Sequence, residues 1–390
     1  MTDHGASTPS GEEQPLQLLS PDGTLTEDEQ YSPYIEGLDD EELRDLYRHM
    51  ALERRFDQEA TSLQRQGQLA LWAPALGQEA AQIGTVAALK HTDMIFPTYR
   101  EHAMALYRGV AAEELMQTFR ATAHSGWDPS TYNLQIYTLV LGAQTLHAVG
   151  WAMAAVRDAA AGDLPHGKAE DEIVLACLGD GASSQGDVHE SMVFAASYGA
   201  PVLYFLQNNH WAISVPAATQ SKAPLAARAG GYGFESLRVD GNDVLASYAA
   251  AAEMAEQIRA GSGPKLIESV TYRIGAHTTA DDPTKYRTAE EVESWRAKDP
   301  IARYAGWLEQ TDRMDADWLA SLEQEGDDLA ADLRRTVLSM ESIDIGEVFD
   351  TVYAEPHRQV EAEKMWLKDY EAGFAEEQES GSGGQTGGGR

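Results

Sequence analysis

Hydrophobic and polar positions follow two different periods along this chain. Apolar runs make up most of residues 172–178 and 201–207, whereas apolar residues recur at helical spacing between them, over residues 187–198. A strand, a helix and a strand of these lengths form one right-handed crossover with parallel strands. The pattern therefore predicts a parallel sheet at the centre of the chain.

The same reasoning adds elements on both sides of this unit. Further strands are predicted over residues 233–239 and 264–272, with a helix over residues 243–260 between them. Helical spacing also marks the segments 40–66, 80–90 and 111–121. Strand patterns disappear from residue 289 onward. We therefore predict an α/β fold, with a doubly wound and mostly parallel sheet followed by a C-terminal helical region.

Composition divides the chain into four parts. Residues 1–40 are rich in Glu, Asp, Ser, Gly and Pro, which predicts a flexible acidic N-terminal arm. Residues 41–345 carry the α/β pattern, and residues 346–375 are predicted to form a helical extension. The Gly- and Ser-rich residues 376–390 predict a disordered tail.

The charge balance limits the partners of the protein. Of its 390 residues, 63 are acidic and 29 are basic, which leaves a formal net charge of −34. This charge repels the phosphate backbone of nucleic acids and anionic membrane surfaces, so we expect neither as a partner. The acidic composition also resembles that of proteins from salt-loving organisms, in which high ionic strength screens the repulsion.

The N-terminal residues and the cysteine content predict a cytoplasmic protein. The N-terminal residues lack the positive start and the apolar stretch of a secretory signal, and the single cysteine, Cys177, lies in an apolar run that is typical of a buried thiol. The segment 139–156 carries no charge, but Gln144, Thr145 and His147 interrupt it. We interpret this segment as a buried helix beside a ligand.

A ligand site is predicted where the first two strands end. Gly179-Asp180-Gly181 follows the first strand and Asn208-Asn209 follows the second, and a crossover returns both to one edge of the sheet. A carboxylate, an amide oxygen and a nearby carbonyl form the hard oxygen site that Mg²⁺ prefers, with phosphate oxygens completing the shell. A Gly-Asp-Gly turn alone is a common tight turn, so the spacing between Asp180 and Asn209 carries the prediction.

These residues lie in a stretch that resembles a known family. GDGASSQGDVHESMVFAASYGAPVLYFLQNNHWAIS is similar to the thiamine diphosphate motif in the alpha subunit of the decarboxylase component of 2-oxoacid dehydrogenase complexes, of the pyruvate or branched-chain type. The likeness extends from about Leu46 to Ala320. It implies a thiamine diphosphate-binding fold, with thiamine diphosphate and Mg²⁺ as cofactors. It also implies oxidative decarboxylation of a 2-oxo acid with acyl transfer to a lipoyl protein.

The resemblance also implies roles for individual residues. Asp180, Asn209 and the main-chain oxygen of Trp211 match the metal ligands of the family. The positions that match cofactor-binding residues are Tyr99, Arg100, Leu139, Leu141, Asp180, Gly181, Ala182, Asn209 and His277. Leu139 and Leu141 would contact the aminopyrimidine ring through main-chain atoms, and His277 would also act as the catalytic residue that transfers protons. The segment 77–80 matches the one that lines the substrate end of the pocket.

One requirement of the chemistry has no candidate in this chain. Thiamine chemistry needs a carboxylate that hydrogen-bonds the aminopyrimidine ring, and in the resembling family a separate beta subunit provides it. The implied partners are therefore a beta subunit in an α2β2 heterotetramer, a lipoyl acyltransferase and a small-molecule 2-oxo acid. An acetoin-cleaving thiamine enzyme subunit and a non-catalytic cofactor-binding paralogue remain alternatives. A nicotinamide dehydrogenase is disfavoured, because no G-x-G-x-x-G sequence follows a strand.

Overall fold

A five-stranded parallel sheet lies at the centre of the computed structural model. The structure describes residues 14–123, 125–162, 171–341, 343–344, 346–350 and 352–382. The strands are β1 (Met94–Phe96), β2 (Val174–Gly179), β3 (Val202–Asn208), β4 (Trp211–Ala212), β5 (Val215–Pro216), β6 (Ser236–Asp240) and β7 (Lys265–Val270). The strand order of the large sheet is β1-β2-β3-β7-β6, and every neighbouring pair is parallel. Strands β4 and β5 form a separate antiparallel pair.

Helices occupy most of the remaining chain. In chain order they are α1 (Ser32–Glu36), α2 (Asp40–Arg65), α3 (Glu79–Ala87), α4 (His102–Tyr107), α5 (Ala112–Arg120), α6 (Pro129–Tyr132), α7 (Ala143–Ala161), α8 (Gly186–Tyr198), α9 (Ala217–Gln220), α10 (Ala227–Tyr232), α11 (Val244–Gln257), α12 (Ala289–Arg296), α13 (Pro300–Gln310), α14 (Ala316–Ser339), α15 (Glu347–Asp350) and α16 (Arg358–Ser382). Among the described residues, no helix is both long enough and apolar enough to cross a membrane.

Helices cover both faces of the sheet, because successive side chains of a strand point in opposite directions. On β2, Leu175 and Cys177 belong to one core together with Phe56 of α2. Val174 belongs to a second core, together with Val188 of α8. Helices α2, α3 and α11 contribute to the first core, and α7, α8 and α10 contribute to the second. The predicted fold class, a doubly wound α/β fold with a parallel sheet, is confirmed.

Strand β1 is an element that the sequence analysis missed. Its three residues are too few to show a strand pattern of their own, and the strand forms by pairing with β2, where Phe96 lies opposite Ala176. Because β1 is parallel to β2, its carboxyl end faces the same edge of the sheet as the ends of β2 and β3. Tyr99 and Arg100 follow within four residues of that end, so β1 brings them to the edge that carries Asp180.

Residues 14–40, part of the predicted flexible acidic N-terminal arm, pack against the sheet in the structure. Leu18 and Leu19 are fully buried, and the backbone N–H groups of both donate to the Asp243 carboxylate. Leu16 also forms a parallel bridge with Val239 at the sheet edge. The acidic composition obscured this short apolar run, which is held by a residue that is remote in sequence. Residues 1–13 of the predicted arm lie outside the described residues.

Two further expectations need correction at helix boundaries. Helix α7 begins only at Ala143, and the preceding Leu139 and Val140 are 68% and 76% exposed, so the segment 139–156 is not a continuous buried helix. Gly142 has a φ of +104°, which separates these residues from the helix. At the other terminus, α16 continues to Ser382, beyond the predicted end of the helical extension at residue 375. Residues 383–390 of the predicted tail lie outside the described residues.

Candidate active site

A cavity of about 290 Å³ opens at the carboxyl ends of β1, β2 and β3. Of the residues predicted from the sequence, the lining contains Tyr99, Arg100, Leu141, Asp180, Gly181, Ala182, Asn209, Trp211 and His277. It also contains polar residues that were not assigned individually, namely Gln78, Thr98, Glu101, Gln185, Gln207, Gln220 and Arg273. The folding of one parallel sheet therefore brings together residues that are up to about 200 positions apart in the chain.

Leu139 is the one predicted site residue that the structure does not place in the cavity lining. Its side chain is 68% exposed, whereas Leu141, two residues further on, lines the cavity. The turn at Gly142 directs the chain into α7, so residues this close in sequence have different surroundings. The role of Leu139 as a main-chain contact of the cofactor stays a prediction.

Asp180 is a buried carboxylate with an oxygen that lacks a partner. It is 3% exposed, its Oδ2 atom has no hydrogen-bond partner in the described part of the chain, and burial raises its pKa to about 6. Buried polar atoms in proteins are nearly always hydrogen-bonded or bound to an ion. A carboxylate oxygen in this state, at the wall of a polar cavity, fits a cation ligand.

The loop after β3 supplies further oxygen atoms to the same wall. His210 and Ile213 have φ values of +70° and +56°, so the backbone turns sharply on both sides of Trp211. The Asn209 Oδ1 atom accepts a hydrogen bond from the Trp211 backbone N–H at 3.3 Å. The Trp211 carbonyl accepts from Arg273 Nη1 at 2.8 Å, and a carbonyl oxygen has a second lone pair.

A cation here would depend on amide and main-chain oxygens. In the described part of the chain, no group of three or more His, Cys, Asp or Glu side chains could hold a metal ion by itself. Mg²⁺ fits this donor set, because it is usually bound through one or two carboxylates and completes its shell with phosphate oxygens and water.

Two buried guanidinium groups give the cavity a positive wall. Arg100 donates to the carbonyl oxygens of Pro74 and His277, at 2.5 and 2.9 Å. Arg273 donates to the carbonyl oxygens of Trp211 and Ile213, at 2.8 and 2.9 Å. Their hydrogen bonds go to neutral acceptors, so the charges of both residues remain available to an anion in the cavity. A diphosphate fits such an environment, because arginine is well suited to bind phosphate oxygens.

The hydrogen bonds of His277 define its tautomer. Its Nδ1 atom lies 3.3 Å from Arg100 Nη2 and 3.2 Å from Arg273 Nη1, and a guanidinium group can only donate. Nδ1 is therefore an acceptor, and the ring proton resides on Nε2, 3.1 Å from the hydroxyl of Tyr99. Burial, followed by the charges of the two arginines, lowers the pKa of His277 to about 3. The imidazole is thus neutral at physiological pH.

Asp281 helps to order the loop that carries His277. Its Oδ2 atom accepts the His277 backbone N–H at 3.0 Å and also accepts a hydrogen bond from the Tyr286 hydroxyl. Arg273 donates to that same hydroxyl at 3.1 Å. Sequence reasoning did not single out Arg273, although its position three residues after the end of β7 is one where ligand-binding residues are common.

Glu101 is a second buried carboxylate at the cavity, and the sequence analysis did not identify it. Its Oε1 atom accepts from Gln207 Nε2 at 2.6 Å, and its Oε2 atom accepts from the backbone N–H and hydroxyl of Thr98 at 2.5 and 2.7 Å. Burial raises its pKa. Because both oxygens of Glu101 accept hydrogen bonds within the chain, Glu101 supports the cavity wall. It differs in this from Asp180, whose Oδ2 atom has no partner among the described residues.

Comparisons with known proteins agree with this arrangement. The family model described as "Dehydrogenase E1 component" matches residues 47–333. A relative in Mycobacterium tuberculosis, named 3-methyl-2-oxobutanoate dehydrogenase subunit alpha, is 45% identical over 374 residues, which cover 93% of this chain and 97% of the relative. The pyruvate dehydrogenase E1 component subunit alpha of Acholeplasma laidlawii is 36% identical over 336 residues, covering 85% of this chain and 94% of that protein.

These matches establish the family. The chain belongs to the dehydrogenase E1 component family, whose members are thiamine diphosphate-dependent enzymes. The predicted resemblance to the alpha subunits of 2-oxoacid dehydrogenases is confirmed, and so is the prediction of a thiamine diphosphate-dependent 2-oxoacid dehydrogenase.

Proposed function

We propose that this chain is the alpha subunit of a 2-oxoacid dehydrogenase that acts on a branched-chain 2-oxo acid. It would work with a separate beta subunit in an α2β2 heterotetramer and pass the acyl group to a lipoyl acyltransferase. The observation that carries the proposal is the Oδ2 atom of Asp180, which has no hydrogen-bond partner in the described part of the chain and lies in a cavity that Arg100 and Arg273 also line. This combination provides a cation site and an anion site next to each other, which a metal diphosphate requires.

The residues present fit a magnesium–diphosphate group. Asp180, Asn209 and the carbonyl of Trp211 would hold Mg²⁺, and Tyr99 and Arg100 would bind diphosphate oxygens. Gly181, Ala182 and Leu141 line the same cavity. A Cβ atom at Gly181 would lie 2.7 Å from the Cβ atom of Ala212, so this position is tight. Thiamine diphosphate, when bound, supplies the electron sink that decarboxylation of a 2-oxo acid needs.

His277 is the residue of this chain that would move protons. Its neutral ring carries a proton on Nε2, as its contacts with Arg100 and Tyr99 require. In this state the ring donates its Nε2–H as a hydrogen bond, and proton transfer would require the pKa of His277 to rise toward neutrality, as a bound anion beside the ring would cause. The low pKa, about 3, keeps the ring uncharged over the whole physiological range.

The chain would contribute half of the active site. Of the described residues that line the cavity, Asp180 and Glu101 are the carboxylates. Asp180 is assigned to the metal, and both oxygens of Glu101 accept hydrogen bonds from Thr98 and Gln207. Neither is free to hydrogen-bond an aminopyrimidine ring. This supports the inference that a beta subunit supplies that carboxylate.

The relatives favour a branched-chain substrate over pyruvate. The relative named for 3-methyl-2-oxobutanoate is 45% identical to this chain, whereas those named for pyruvate in A. laidlawii and Staphylococcus aureus are 36% and 37% identical. The substrate assignment therefore rests on this difference in similarity.

The test is an activity assay of the chain co-expressed with a candidate beta subunit. We expect reduction of an artificial electron acceptor that depends on thiamine diphosphate, Mg²⁺ and 3-methyl-2-oxobutanoate, and that is faster than with pyruvate. The alpha chain alone should be inactive. Activity with acetoin and with neither 2-oxo acid would refute the proposal, and so would comparable turnover by the isolated chain.

A further inference from the structure

Gln78 lines the cavity but has no role in the proposed function so far. It is fully buried, and the turn before it is held on both sides. The N–H of Gly77 donates to Glu79 Oε2 at 2.9 Å, and the Thr271 hydroxyl donates to the Gly77 carbonyl at 2.7 Å. Gly77 has a φ of +95°, and a Cβ atom there would lie 2.4 Å from the carbonyl oxygen of Tyr272. Only glycine fits, and Gln78 is therefore rigidly placed.

A backbone donor fixes the orientation of two side-chain amides at this point. The Trp211 N–H donates to Asn209 Oδ1, so the amide nitrogen of Asn209 must lie on the other side. That nitrogen donates to Gln78 Oε1 at 3.1 Å. The other polar atom of this amide, Gln78 Nε2, is buried and has no hydrogen-bond partner among the described residues.

We propose that the two ends of the Gln78 amide have separate tasks. Oε1 positions Asn209 so that its Oδ1 atom faces Mg²⁺, and Nε2 donates a hydrogen bond to an anionic oxygen of the bound diphosphate. A buried N–H group without a partner is unfavourable, so this donor is suited to an acceptor on a ligand. The positive wall formed by Arg100 and Arg273 favours an anionic acceptor in the same cavity. The inference rests on the proposed function and extends it to a residue that the function had not used.

Two substitutions separate the tasks of the two ends. Gln78→Glu keeps an acceptor oxygen for Asn209 and replaces the N–H donor by a second carboxylate oxygen. Gln78→Met has a similar length and removes both polar ends. In the complex with the beta subunit, we expect Gln78→Glu to weaken thiamine diphosphate binding by about tenfold or more, because the carboxylate repels the diphosphate. Its apparent Mg²⁺ affinity should be retained, whereas Gln78→Met should weaken both.

Calorimetric titration with thiamine diphosphate over a range of Mg²⁺ concentrations measures both affinities. Gln58→Glu is the matched control, because this exposed residue of α2 lies outside the cavity and the substitution adds the same charge. We expect the control to bind the cofactor as the wild-type complex does. Gln78→Glu decides the question even if Gln78→Met fails to assemble with the beta subunit.

Three outcomes would overturn the inference. Unchanged cofactor affinity in Gln78→Glu would show that Nε2 does not contact the diphosphate. A higher KM for the 2-oxo acid with unchanged cofactor affinity would place the donor at the substrate carboxylate instead. Unchanged Mg²⁺ dependence in an assembled Gln78→Met complex would refute the positioning of Asn209. Failure of the proposed function is distinguishable, because Asp180→Asn would then also leave cofactor binding unchanged.

Discussion

Buried carboxylates occur in two regions of this protein, and their surroundings differ. At the cavity, one oxygen of Asp180 has no partner among the described residues, and burial raises the pKa of this carboxyl group to about 6. Between α2 and α3, Glu53, Asp57 and Glu79 are also buried, and we call them the α2–α3 carboxylates. Within this second group, Glu79 is paired with Arg54 at 2.8 Å, and both oxygens of Asp57 accept hydrogen bonds. Glu53 has no partner at either oxygen in the described part of the chain.

The difference between Asp180 and Glu53 shows that an unpartnered carboxylate does not by itself indicate a cation site. Burial, followed by the charges of Asp57 and Glu79, raises the pKa of Glu53 well above its ordinary value, so the surroundings favour its neutral form. Glu53 does not line the cavity, whereas Asp180 does and lies near other oxygen atoms. Because its pKa is about 6, Asp180 is also mostly ionised at neutral pH. A cavity, additional ligands and an ionisable group together define the site.

The largest expected effect is that of Asp180→Asn. This substitution removes the only anionic protein ligand assigned to Mg²⁺, so we expect thiamine diphosphate binding to weaken by about 3 kcal/mol, on the order of a hundredfold. Titration calorimetry of the complex with the beta subunit measures this loss. Cofactor affinity equal to that of the wild-type complex would mean that Asp180 is a structural residue, as the α2–α3 carboxylates are.

His277→Ala should have the next largest effect, and it should be confined to catalysis. We expect 2-oxoacid-dependent turnover to fall by a factor on the order of 10² to 10⁴, because a positioned acid–base group is lost. The thermal transition should change little, since His277 lies in a loop outside both hydrophobic cores. Steady-state kinetics and thermal denaturation of the same preparation check both statements. A variant with full turnover, or one with greatly lowered thermal stability, would contradict this assignment.

The α2–α3 carboxylates should affect stability and its dependence on pH. The pKa values of Glu53 and Asp57 are raised in the folded state, that of Asp57 to about 7, so the folded protein binds more protons than the unfolded chain. The free energy of unfolding therefore falls as the pH rises from the ordinary carboxyl pKa through the raised values. Glu53→Gln should reduce this decline and raise the melting temperature at about pH 8 by a few degrees at most, with little change at about pH 5.

Thermal denaturation at the two pH values tests this expectation. Asp45→Asn, on the exposed face of α2, is the matched control and should leave the pH dependence unchanged. If Glu53→Gln behaves as the control does, Glu53 is ionised in the folded protein. The proposed difference in protonation between Asp180 and Glu53 would then not exist.

The smallest expected effect concerns the mouth of the cavity. Leu139→Ala should change cofactor affinity by no more than about 0.5 kcal/mol, because the exposed side chain lies outside the lining and any contact would use main-chain atoms. Leu141→Ala removes side-chain atoms from the lining and should weaken binding more. Cofactor titrations of the two variants, side by side, provide the measurement. A larger loss for Leu139→Ala would show that its side chain packs against the cofactor or the partner subunit in the assembled enzyme.

The sequence by itself determined the fold class and the central part of the site. The apolar runs of β2 and β3 and the helix between them are local patterns, and the handedness rule for parallel crossovers places Asp180 and Asn209 at one edge of the sheet. The family resemblance added Tyr99, Arg100 and His277. All of these residues line one cavity, although their individual roles stay predictions.

Only the tertiary structure decided the features that depend on contacts between remote segments. Strand β1 exists because β2 pairs with it, and residues 14–40 pack onto the sheet because Asp243 binds the backbone of Leu18 and Leu19. The orientation of the Gln78 amide, whose Nε2 atom has no partner among the described residues, follows from a hydrogen bond with Asn209, which is remote in sequence. Burial and hydrogen-bond satisfaction are properties of the packed chain, and no local sequence pattern encodes them.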